Sequence, residues 1–531
     1  MTDSRFPLRL NAAVALLDEH RQQRPDHPAV ICGSTVLTYG ELAAAVDRCG
    51  NALRGLGVRM EERVALLLPD SAECVIAFLA AIKIGAVAVP MNTLLTAADY
   101  EYMLSDSRAR ILIVHAGWLD RIEPIRVRLA HVAAVLVVGG NGENDFAAHL
   151  AAADAELTPA DTHRDDMAFW LYSSGTTGKP KAAVHLQHDM LYAADAYAVA
   201  TLGLRADDVS FSVAKLFFAY GLGNGLYFPL RTGGTTVLLS ERPTPEHVFD
   251  VIDRFQPTVF YSVPTSYVAL LHHAEKQGRT SLGRARMCIS AGETLPRHLF
   301  EKWRERFGLE ILDGIGSTEI LHIFIANPPG AARPGSTGRV VPGYEARIVD
   351  DDGVELPPGQ VGTLMIRGDS IAAGYWNQHE TTKRTFCGEW INTHDKFMVD
   401  HDGYFWYSGR ADDMLKVSGQ AVWPSEVEGI IQQHPAVLES GVTGAADDEG
   451  LLKPVAFVVL KDGQTQSPEL AAEIQQFVKT HTAPHKYPRA VVFVDALPKT
   501  ATGKIKRFEL RHRAAVDGLL RSRSRSAHLG G

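Results

Sequence analysis

Several features of common protein classes are missing from this sequence. Its 531 residues include five cysteines, and no two of them form the Cys-x-x-Cys pair of zinc ribbons or thioredoxin-type redox sites. An odd, scattered set is typical of reduced, buried thiols. A basic excess is also missing, because 53 Lys and Arg stand against 62 Asp and Glu, for a formal net charge of −9. Since nucleic-acid binders usually carry a basic face, we expect no nucleic-acid partner.

Membrane-spanning and secretory signals are missing as well. The longest apolar stretch, Cys74 to Pro90, is interrupted by Lys83 and Gly85 and is too short to span a bilayer. The N-terminus lacks a basic region followed by an apolar run, so no signal peptide is predicted. We therefore expect a cytoplasmic protein with no membrane contact. Residues 521–531 are basic and poor in apolar side chains, and are predicted to form a disordered tail.

The first two thirds of the chain alternate short apolar runs with amphipathic segments. The apolar runs predict buried strands at 63–69, 85–90, 109–115, 134–140, 235–240 and 258–264. Amphipathic segments such as 38–57 and 71–85 predict the helices between them. This rhythm is typical of an α/β protein with doubly wound, parallel sheets, and the length requires more than one domain.

The composition changes after about residue 335, where Gly, Pro and Asp become frequent. Short apolar runs separated by turn signals predict a β-rich subdomain over about 333–409. An α+β unit follows, with a helix predicted in 423–437 and Ser425 as its N-cap. The predicted organisation is a large N-terminal domain, residues 1–411, and a smaller C-terminal domain, residues 412–520.

The segment 169–186, FWLYSSGTTGKPKAAVHL, carries the strongest chemical signal. An apolar strand leads into small and hydroxyl-bearing residues and then into Lys179 and Lys181. Small residues let backbone N–H groups approach an anion, hydroxyls add donors and lysines add charge, a combination that suits a polyphosphate. The segment is not a Walker A loop, because only two residues separate Gly175 from Gly178 and no Ser or Thr follows Lys179.

SSGTTGKPK resembles the phosphate loop of the adenylate-forming superfamily, which includes acyl-CoA synthetases, luciferases and the adenylation domains of peptide synthetases. Three further motifs of that family follow in order, GIGSTE at 314–319, GRADDMLKVSGQAVWPSEVE at 409–428 and PKTATGKIKR at 498–507. The resemblance extends from about residue 10 to about residue 515. It implies a mobile C-terminal domain, activation of a carboxylic acid by ATP as an acyl-adenylate, and transfer of the acyl group to coenzyme A.

The resemblance also implies an ATP and AMP site. Glu319 would bind the Mg²⁺ that bridges the ATP phosphates, and Thr318 would donate to the α-phosphate. Asp395 and Arg410 would hold the ribose hydroxyls beside Tyr407. The other nucleotide-binding residues implied by the family are Ser173, Ser174, Gly175, Thr176, Thr177, Gly178, Lys179, Lys181, Gly292, Glu293, Thr294, Asp313, Gly314, Ile315 and Gly316.

Lys504 is implied as the catalytic lysine, because its ammonium would bridge two anions, the carboxylate and the α-phosphate, as they approach in line. Asp412 occupies the hinge position, about which the small domain rotates between the two half-reactions. Contacts with coenzyme A are expected from Lys416, Ser418, Gly419, Trp423 and Lys486, and Arg489 and Arg507 are further candidates.

KLFFAYGLGNGLYFPL, residues 215–230, resembles the acyl-pocket loop of benzoate–CoA ligases and related enzymes. Aromatic walls suit an aromatic guest, and Ala219 and Gly221 are expected to leave room for a ring. The predicted pocket consists of Phe218, Ala219, Tyr220, Gly221, Ala291, Ile315, Gly316, His322 and Ile323. Phe217 and Phe218 fit pocket and core equally. Benzoate, aminobenzoate, hydroxybenzoate, halobenzoate and small heteroaryl acids all stay open, with His322 as a candidate partner for a ring substituent.

Two positions depart from the family pattern. Ala182 stands where most relatives have glycine after the phosphate loop, and His394 stands in place of the glycine of a Thr-Gly-Asp motif. Neither change removes a reacting group, so we expect activity to survive both.

Three alternatives to a CoA ligase are considered. The enzyme could load the acid onto a separate carrier protein, which dependence on free coenzyme A would discriminate. A non-catalytic nucleotide-sensing module is disfavoured by the intact Thr318, Glu319, Asp395, Arg410 and Lys504. A luciferase-type oxygenase lacks any supporting signal. The chain could be a monomer or a homodimer.

Overall fold

A computed structural model describes residues 6–173, 179–410, 413–417, 420–483, 485–499 and 505–520. The chain forms two compact units, which are described separately. The first comprises residues 1–346 with 365–393, and the second comprises residues 347–364 with 394–531. Among the described residues no helix is long and apolar enough to cross a membrane.

The first part of the chain forms a six-stranded sheet, and the last two strands of this sheet flank the predicted phosphate loop. Its helices and strands are, in chain order, α1 Ala12–Gln23, β1 Pro28–Cys32, β2 Thr35–Thr38, α2 Tyr39–Gly55, β3 Arg63–Leu67, α3 Ala72–Lys83, β4 Val87–Pro90, α4 Ala97–Ser107, β5 Ile111–His115, α5 Leu119–Ile122, β6 Ala134–Val138, α6 Phe146–Ala152, β7 Met167–Ser173 and β8 Lys181–Leu186. The strand order is β6-β5-β3-β4-β7-β8, and all neighbours are parallel except β7 and β8.

A nine-stranded sheet follows, joined by β1 and β2. Its further elements are α7 Asp189–Ala193, β9 Val209–Ser212, α8 Ala219–Leu222, α9 Phe228–Thr232, β10 Thr235–Leu238, α10 Pro245–Phe255, β11 Val259–Ser262, α11 Pro264–Gln277, β12 Met287–Ser290, α12 Arg297–Phe307, β13 Ile311–Gly316, β14 Ile323–Ala326 and β15 Arg339–Val340. The order is β15-β14-β13-β12-β11-β9-β10-β1-β2. The strands from β13 to β1 are parallel to their neighbours, whereas β2, β14 and β15 run antiparallel.

The six strands predicted from apolar runs are all present, and the parallel sheets are confirmed. Strand β5 shows the reason, because four of its five residues are buried and it is paired with parallel strands on both sides. Helices α1, α2, α3, α4, α6 and α10 begin where a polar side chain accepts from one of their first N–H groups. Thr38 and Glu41 form a capping box at α2, with the Glu41 carboxylate accepting from the Thr38 N–H at 2.9 Å.

The remaining chain is rich in short strands and then mixed. The elements are β16 Glu345–Val349, β17 Val361–Arg367, α13 His379–Thr385, β18 Phe386–Cys387, β19 Trp390–Val399, β20 Phe405–Arg410, β21 Leu415–Val417, β22 Gln420–Val422, α14 Pro424–Ile431, β23 Val437–Ala446, β24 Leu452–Leu460, α15 Pro468–His481, β25 Ala490–Phe493 and α16 Arg507–Val516. Strands β16 to β20 form one sheet, which confirms the predicted β-rich character, and β23, β24 and β25 form another.

The prediction that Ser425 caps a helix is wrong. Helix α14 begins at Pro424 with Trp423 as its N-cap, and it ends at Ile431. Proline is favoured at the first helical position because its missing N–H needs no acceptor there. Ser425 therefore lies inside the first turn, where its hydroxyl donates to the Ser408 carbonyl at 3.2 Å. The predicted domain boundary near 411–412 falls on residues outside the described ranges and stays a prediction.

Candidate active site

The two ends of the predicted phosphate loop lie beside Glu319 in the first unit. Ser173 ends β7 and Lys181 begins β8, and their Cα atoms are paired across the antiparallel ladder. The Ser173 hydroxyl donates to Oε1 of Glu319 at 3.4 Å, and Nζ of Lys181 lies 3.6 Å from the same oxygen. Residues 174–178 between them, which include five predicted phosphate contacts, lie outside the described residues. Lys179 is exposed, with its Nζ 5.3 Å from the Tyr102 ring centre.

Tyr375 joins this group, although it was not identified from the sequence. Its hydroxyl donates to Oε1 of Glu319 at 2.8 Å and accepts from Nζ of Lys181 at 2.6 Å. Burial alone would raise the pKa of the Glu319 carboxyl, but Lys181 and the Tyr375 hydroxyl outweigh it and lower that pKa. Glu319 is therefore ionised at neutral pH. No local pattern marks Tyr375, which lies 56 positions from Glu319.

An ionised carboxylate at the end of a phosphate loop fits Mg²⁺. The described residues contain no group of three or more His, Cys, Asp or Glu side chains that could hold a metal ion. Magnesium in nucleotide sites is usually held by one or two carboxylates, with phosphates and water supplying the other ligands. Glu319 would be the protein ligand of such an ion, and bound Mg²⁺ would neutralise phosphate charge.

The segments predicted to line the adenine lie at the carboxyl ends of two adjacent parallel strands. Ser290 at the end of β12 is the Cα partner of Asp313 in β13, so residues 291–294 leave β12 beside residues 314–316, which are the last residues of β13. Asp313 is buried, and desolvation raises the pKa of its carboxyl well above the usual range. The carboxyl ends of parallel strands form the usual ligand crevice of an open α/β sheet, and the adenine site at this edge stays a prediction.

Residues 215–230, called the aromatic segment below, lie across the ends of strands β11 and β12. The Tyr220 hydroxyl donates to the carbonyl of Ser262 in β11 at 3.2 Å and to that of Ile289 in β12 at 3.3 Å. His322 Nε2 lies 3.2 Å from the Tyr220 carbonyl and 3.2 Å from Oδ1 of Asn224. The structure therefore brings together Tyr220 and His322, which are 102 positions apart. Asn224 was not identified from the sequence, and it is completely buried.

The other predicted pocket residues are all buried or half-buried in the first unit. Ala219 and Ile323 are buried, Phe218 is half-buried, and the rings of Phe217 and Phe218 meet edge to face at 4.5 Å between centres. Phe217 is buried, as expected of a core residue. A Cβ atom at Gly221 would collide with the carbonyl oxygens of Lys215 and Ala214. The space beside Gly221 is thus filled by backbone, and the expectation that it leaves room for a ring is not met.

The environment of His322 defines its hydrogen-bonding character. Burial lowers the pKa of its imidazole to about 3, so the ring is neutral at physiological pH. Because the backbone carbonyl of Tyr220 can only accept, Nε2 carries the proton. Nδ1 is then a lone-pair acceptor, and it is buried without a hydrogen-bond partner among the residues described.

A buried ion pair anchors the start of the aromatic segment. Nζ of Lys215 lies 3.7 Å from Oδ2 of Asp70, and Oδ1 of Asp70 accepts from the Leu216 N–H at 2.9 Å. The Asp70 side chain is almost fully buried. Burial raises the pKa of the Asp70 carboxyl, against the opposing effect of Lys215. This anchor was not identified from the sequence, and it holds the residues just before Phe217.

In the second unit, three predicted ribose contacts occupy one strand pair. Asp395 in β19 and Arg410 in β20 are Cα partners, and Arg410 Nε lies 3.9 Å from Oδ1 of Asp395. Tyr407 packs on Phe397 with 5.3 Å between ring centres. His394 has φ of +59°, a conformation that favours glycine, which explains why a glycine in this position is the family's pattern.

The predicted coenzyme A contacts in the second unit differ from one another in their exposure and in their partners. Lys416 is exposed, whereas Lys486 is paired with Glu426 at 2.5 Å and Arg507 with Glu428 at 2.6 Å. Arg489 lies 3.7 Å above the Tyr487 ring, and Trp423 is half-buried. Asp412, Ser418, Gly419 and Lys504 lie outside the described residues, so their roles stay predictions.

The first departure from the family pattern is accommodated in the core. Ala182 is buried in an apolar cluster with Val87, Val89, Trp170 and Val184, and its carbonyl accepts from the Trp376 N–H at 2.9 Å. The methyl group is therefore packed, and the strand pairing of β7 and β8 continues through it.

The parallel sheets and the grouping of Ser173, Lys181 and Tyr375 around Glu319 are typical of an enzyme that binds a nucleotide, and comparison with known proteins identifies its family. The model for the AMP-binding enzyme family matches residues 17–376, and that for the AMP-binding enzyme C-terminal domain matches residues 426–504. The chain belongs to this adenylate-forming family. The assignment made from the four motifs is confirmed.

Individual relatives extend over nearly the whole chain. It is 48% identical over 512 residues to the benzoate–CoA ligase of Thauera aromatica, covering 96% of this chain and 97% of that protein. It is 44% identical to the 4-hydroxybenzoate–CoA/benzoate–CoA ligase of Rhodopseudomonas palustris, covering 95% of each. The crystal structure of the anthranilate CoA ligase AuaEII with anthranoyl-AMP matches with a TM-score of 0.94 and 43% identity, covering 98% of this chain and 100% of that one.

Proposed function

We propose that this protein is an AMP-forming aryl-CoA ligase that converts benzoate or a substituted benzoate, ATP and coenzyme A into aryl-CoA, AMP and pyrophosphate. One observation carries the proposal. A single short segment, residues 318–323, presents Glu319 to the ends of the phosphate loop and His322 to the aromatic segment. One turn thereby supplies a residue for the phosphates of ATP and a residue for the aromatic acid.

In the first half-reaction, a carboxylate oxygen of the acid attacks the α-phosphorus of ATP. The bond from that phosphorus to the bridging oxygen breaks, and pyrophosphate leaves with the electron pair. Lys181 and the phosphate loop would bind the phosphates, Glu319 would hold Mg²⁺, and Lys504 would bridge the two anions. Charge stabilisation of this kind is usually the largest catalytic contribution.

In the second half-reaction, the thiol sulfur of coenzyme A attacks the carbonyl carbon of the aryl-adenylate. The bond from that carbon to the phosphate oxygen breaks, AMP leaves, and the thiol proton is released. Domain rotation about Asp412 would withdraw Lys504 and admit the thiol. The similarity to benzoate, hydroxybenzoate and anthranilate CoA ligases supports an aromatic acid and coenzyme A as the substrates.

The acyl acceptor and the acid are tested in one experiment. Purified protein would be incubated with ATP, Mg²⁺ and benzoates or fatty acids, with and without coenzyme A, and products identified by mass spectrometry. Aryl-CoA formed only from ring acids is the expected result. Acyl-AMP that accumulates in the presence of coenzyme A, without a thioester, would instead favour a separate carrier protein as the acceptor. No adenylate from any acid would overturn the proposal.

A further inference from the structure

The turn that carries Thr318 and Glu319 has a strained backbone. Residues Thr318–Ile320 form one turn of 3-10 helix, and the next residue, Leu321, has φ of +75° and ψ of −46°. Leu321 is completely buried and is not glycine. Such a conformation costs energy and persists only where the surroundings determine it strongly. The contacts that hold this turn therefore decide where Thr318 and Glu319 point.

Three successive carbonyls of the turn are each held by a donor from outside it. His185 Nε2 lies 2.8 Å from the Thr318 carbonyl, the Ala372 N–H donates to the Glu319 carbonyl at 2.8 Å, and the Ser370 hydroxyl donates to the Ile320 carbonyl at 2.8 Å. Of these donors, only His185 belongs to the strand that leaves the phosphate loop. His185 lies in β8 on the same face as Lys181, which precedes it by four residues.

His185 is itself held on its other side. Its Nδ1 lies 2.8 Å from Oδ2 of Asp189, its ring stacks on Phe169 at 5.0 Å between centres, and it is completely buried. Both ring nitrogens therefore face acceptors, a carboxylate and a carbonyl. Because the Thr318 carbonyl can only accept, Nε2 donates to it, and the contact of Nδ1 with Asp189 fixes the orientation of the ring. Oδ2 of Asp189 also accepts from the Leu186 N–H at 3.1 Å, which fixes the carboxylate.

We propose that His185, oriented by Asp189, is a positioning residue for adenylate formation, an inference that rests on the proposed function. Strand β8 brings Lys181 to the Glu319 carboxylate and His185 to the Thr318 carbonyl. One strand therefore holds both the charged side chain and the backbone of the turn. Loss of the His185 hydrogen bond lets the strained turn relax. Glu319 then binds Mg·ATP in a less favourable orientation, whereas the aromatic pocket keeps its Tyr220 contacts.

The test compares His185→Phe, His185→Gln and Asp189→Asn with the wild type. Phenylalanine keeps a ring to stack on Phe169 but donates nothing, whereas glutamine restores an N–H donor. Tyr39→Phe is the matched control, because it removes a buried hydroxyl that donates to the Gly234 carbonyl at 2.8 Å. For each protein we would measure aryl-AMP formation, thioester formation from preformed aryl-AMP, Mg·ATP affinity by calorimetry, and the midpoint of thermal unfolding.

The expected result is a selective defect. His185→Phe should slow aryl-AMP formation roughly ten- to a hundredfold, the range for leaving a buried hydrogen-bond acceptor without its donor. It should weaken Mg·ATP binding and leave thioester formation within about threefold of wild type. His185→Gln should recover part of the loss, and Asp189→Asn should show the same selectivity as His185→Phe. Tyr39→Phe should lower the unfolding midpoint without this selectivity.

Equal loss in both half-reactions, or unchanged Mg·ATP affinity in His185→Phe, would overturn the proposal. Calorimetry also separates this proposal from the proposed function. If the wild type binds Mg·ATP but forms no adenylate with any acid, the aryl-CoA ligase assignment fails, while the comparison of Mg·ATP affinities still decides the role of His185.

Discussion

The Tyr375 hydroxyl lies 2.8 Å from Oε1 of Glu319 and stands between that carboxylate and Lys181, whose Nζ is 2.6 Å from the hydroxyl. We predict that Tyr375→Phe lowers the rate of aryl-AMP formation roughly ten- to a hundredfold, because a hydrogen bond to a charged group contributes about 1.5–3 kcal/mol. The magnesium concentration needed for half-maximal rate should rise. Pyrophosphate release measured against magnesium concentration checks both.

Tyr100→Phe serves as the control for this prediction. Its hydroxyl also donates to an acceptor within the first unit, the Asn92 carbonyl at 2.9 Å, which is not one of the candidate phosphate-binding residues. A magnesium response that is the same in Tyr375→Phe and in the wild type would contradict a role for Tyr375 at the metal-binding carboxylate.

His188 predicts a pH-dependent contribution to stability. Burial alone would lower the pKa of its imidazole, but Asp189, the Arg164 carbonyl, Asp369 and Asp165 together raise that pKa above 6.5. A raised pKa in the folded state means that the charged ring stabilises the fold fully below about pH 6.5, and that this contribution is lost as pH rises through the folded value. Nδ1 and Nε2 lie 2.9 Å from the Arg164 and Asp369 carbonyls, which explains the preference for the protonated ring.

His188→Gln should therefore lower the thermal unfolding midpoint most at mildly acidic pH. The difference from wild type should narrow as pH rises above the folded pKa, because glutamine cannot take up the proton. Unfolding midpoints measured at about pH 6 and about pH 9 test the sign. A difference that stays constant between them would show that His188 acts by packing alone.

The sequence predicted the strands well because apolar runs report burial on both faces of a parallel sheet. The run 258–264 contains β11, and the strand stops at Ser262 because Pro264 begins α11. The sequence could not predict what long-range packing decides. Antiparallel β14 returns beside β13 because Gly314 and Gly316 have no side chain to obstruct it, a close approach that no local pattern reveals.

In the candidate site, too, residues in local motifs were predicted, whereas residues that act through long-range contacts were not. Glu319 and Lys181 were predicted because each lies in a motif whose chemistry is visible in a few consecutive residues. Tyr375, Asn224 and His185 were missed because each contacts the site through a residue remote in sequence, namely Glu319, His322 and Thr318 respectively. His185 left one usable signal, a histidine among the apolar residues of the strand AAVHL. Its Thr318 partner, 133 positions away, is visible only in the folded chain.

The unpartnered Nδ1 of His322 predicts a preference among ring substituents. As an acceptor shielded from water, it should favour an amino or hydroxyl group over fluorine at one ring position. We expect the kcat/KM of that hydroxy- or aminobenzoate to exceed that of the matching fluorobenzoate by about tenfold, the value of one hydrogen bond. In His322→Phe the ratio should fall towards one.

Because the ratio compares two acids on the same protein, general damage from the substitution cancels. The pKa of about 3 further implies that the ratio does not change between mildly acidic and mildly alkaline pH. Equal rates for donor-bearing and fluorinated acids at every ring position would exclude Nδ1 of His322 as a substituent-binding atom.

Lys504 and Lys506 allow the predicted catalytic lysine to be tested against a near neighbour. Lys504 lies in the motif that implies the bridge between carboxylate and α-phosphate, whereas Lys506 is half-buried and paired with Glu509 at 2.9 Å on the first turn of α16.

Lys504→Ala should slow aryl-AMP formation roughly a hundredfold or more, as does the loss of one donor that stabilises a transition state. Thioester formation from preformed aryl-AMP should fall far less. Lys506→Ala should leave both half-reactions near wild type, because an ion pair that water can reach contributes only about 0.5 kcal/mol. If Lys504→Ala reduced the two half-reactions equally, the lysine would not be specific to adenylation, and the rotation of the C-terminal domain between two functional orientations would lose its main chemical reason.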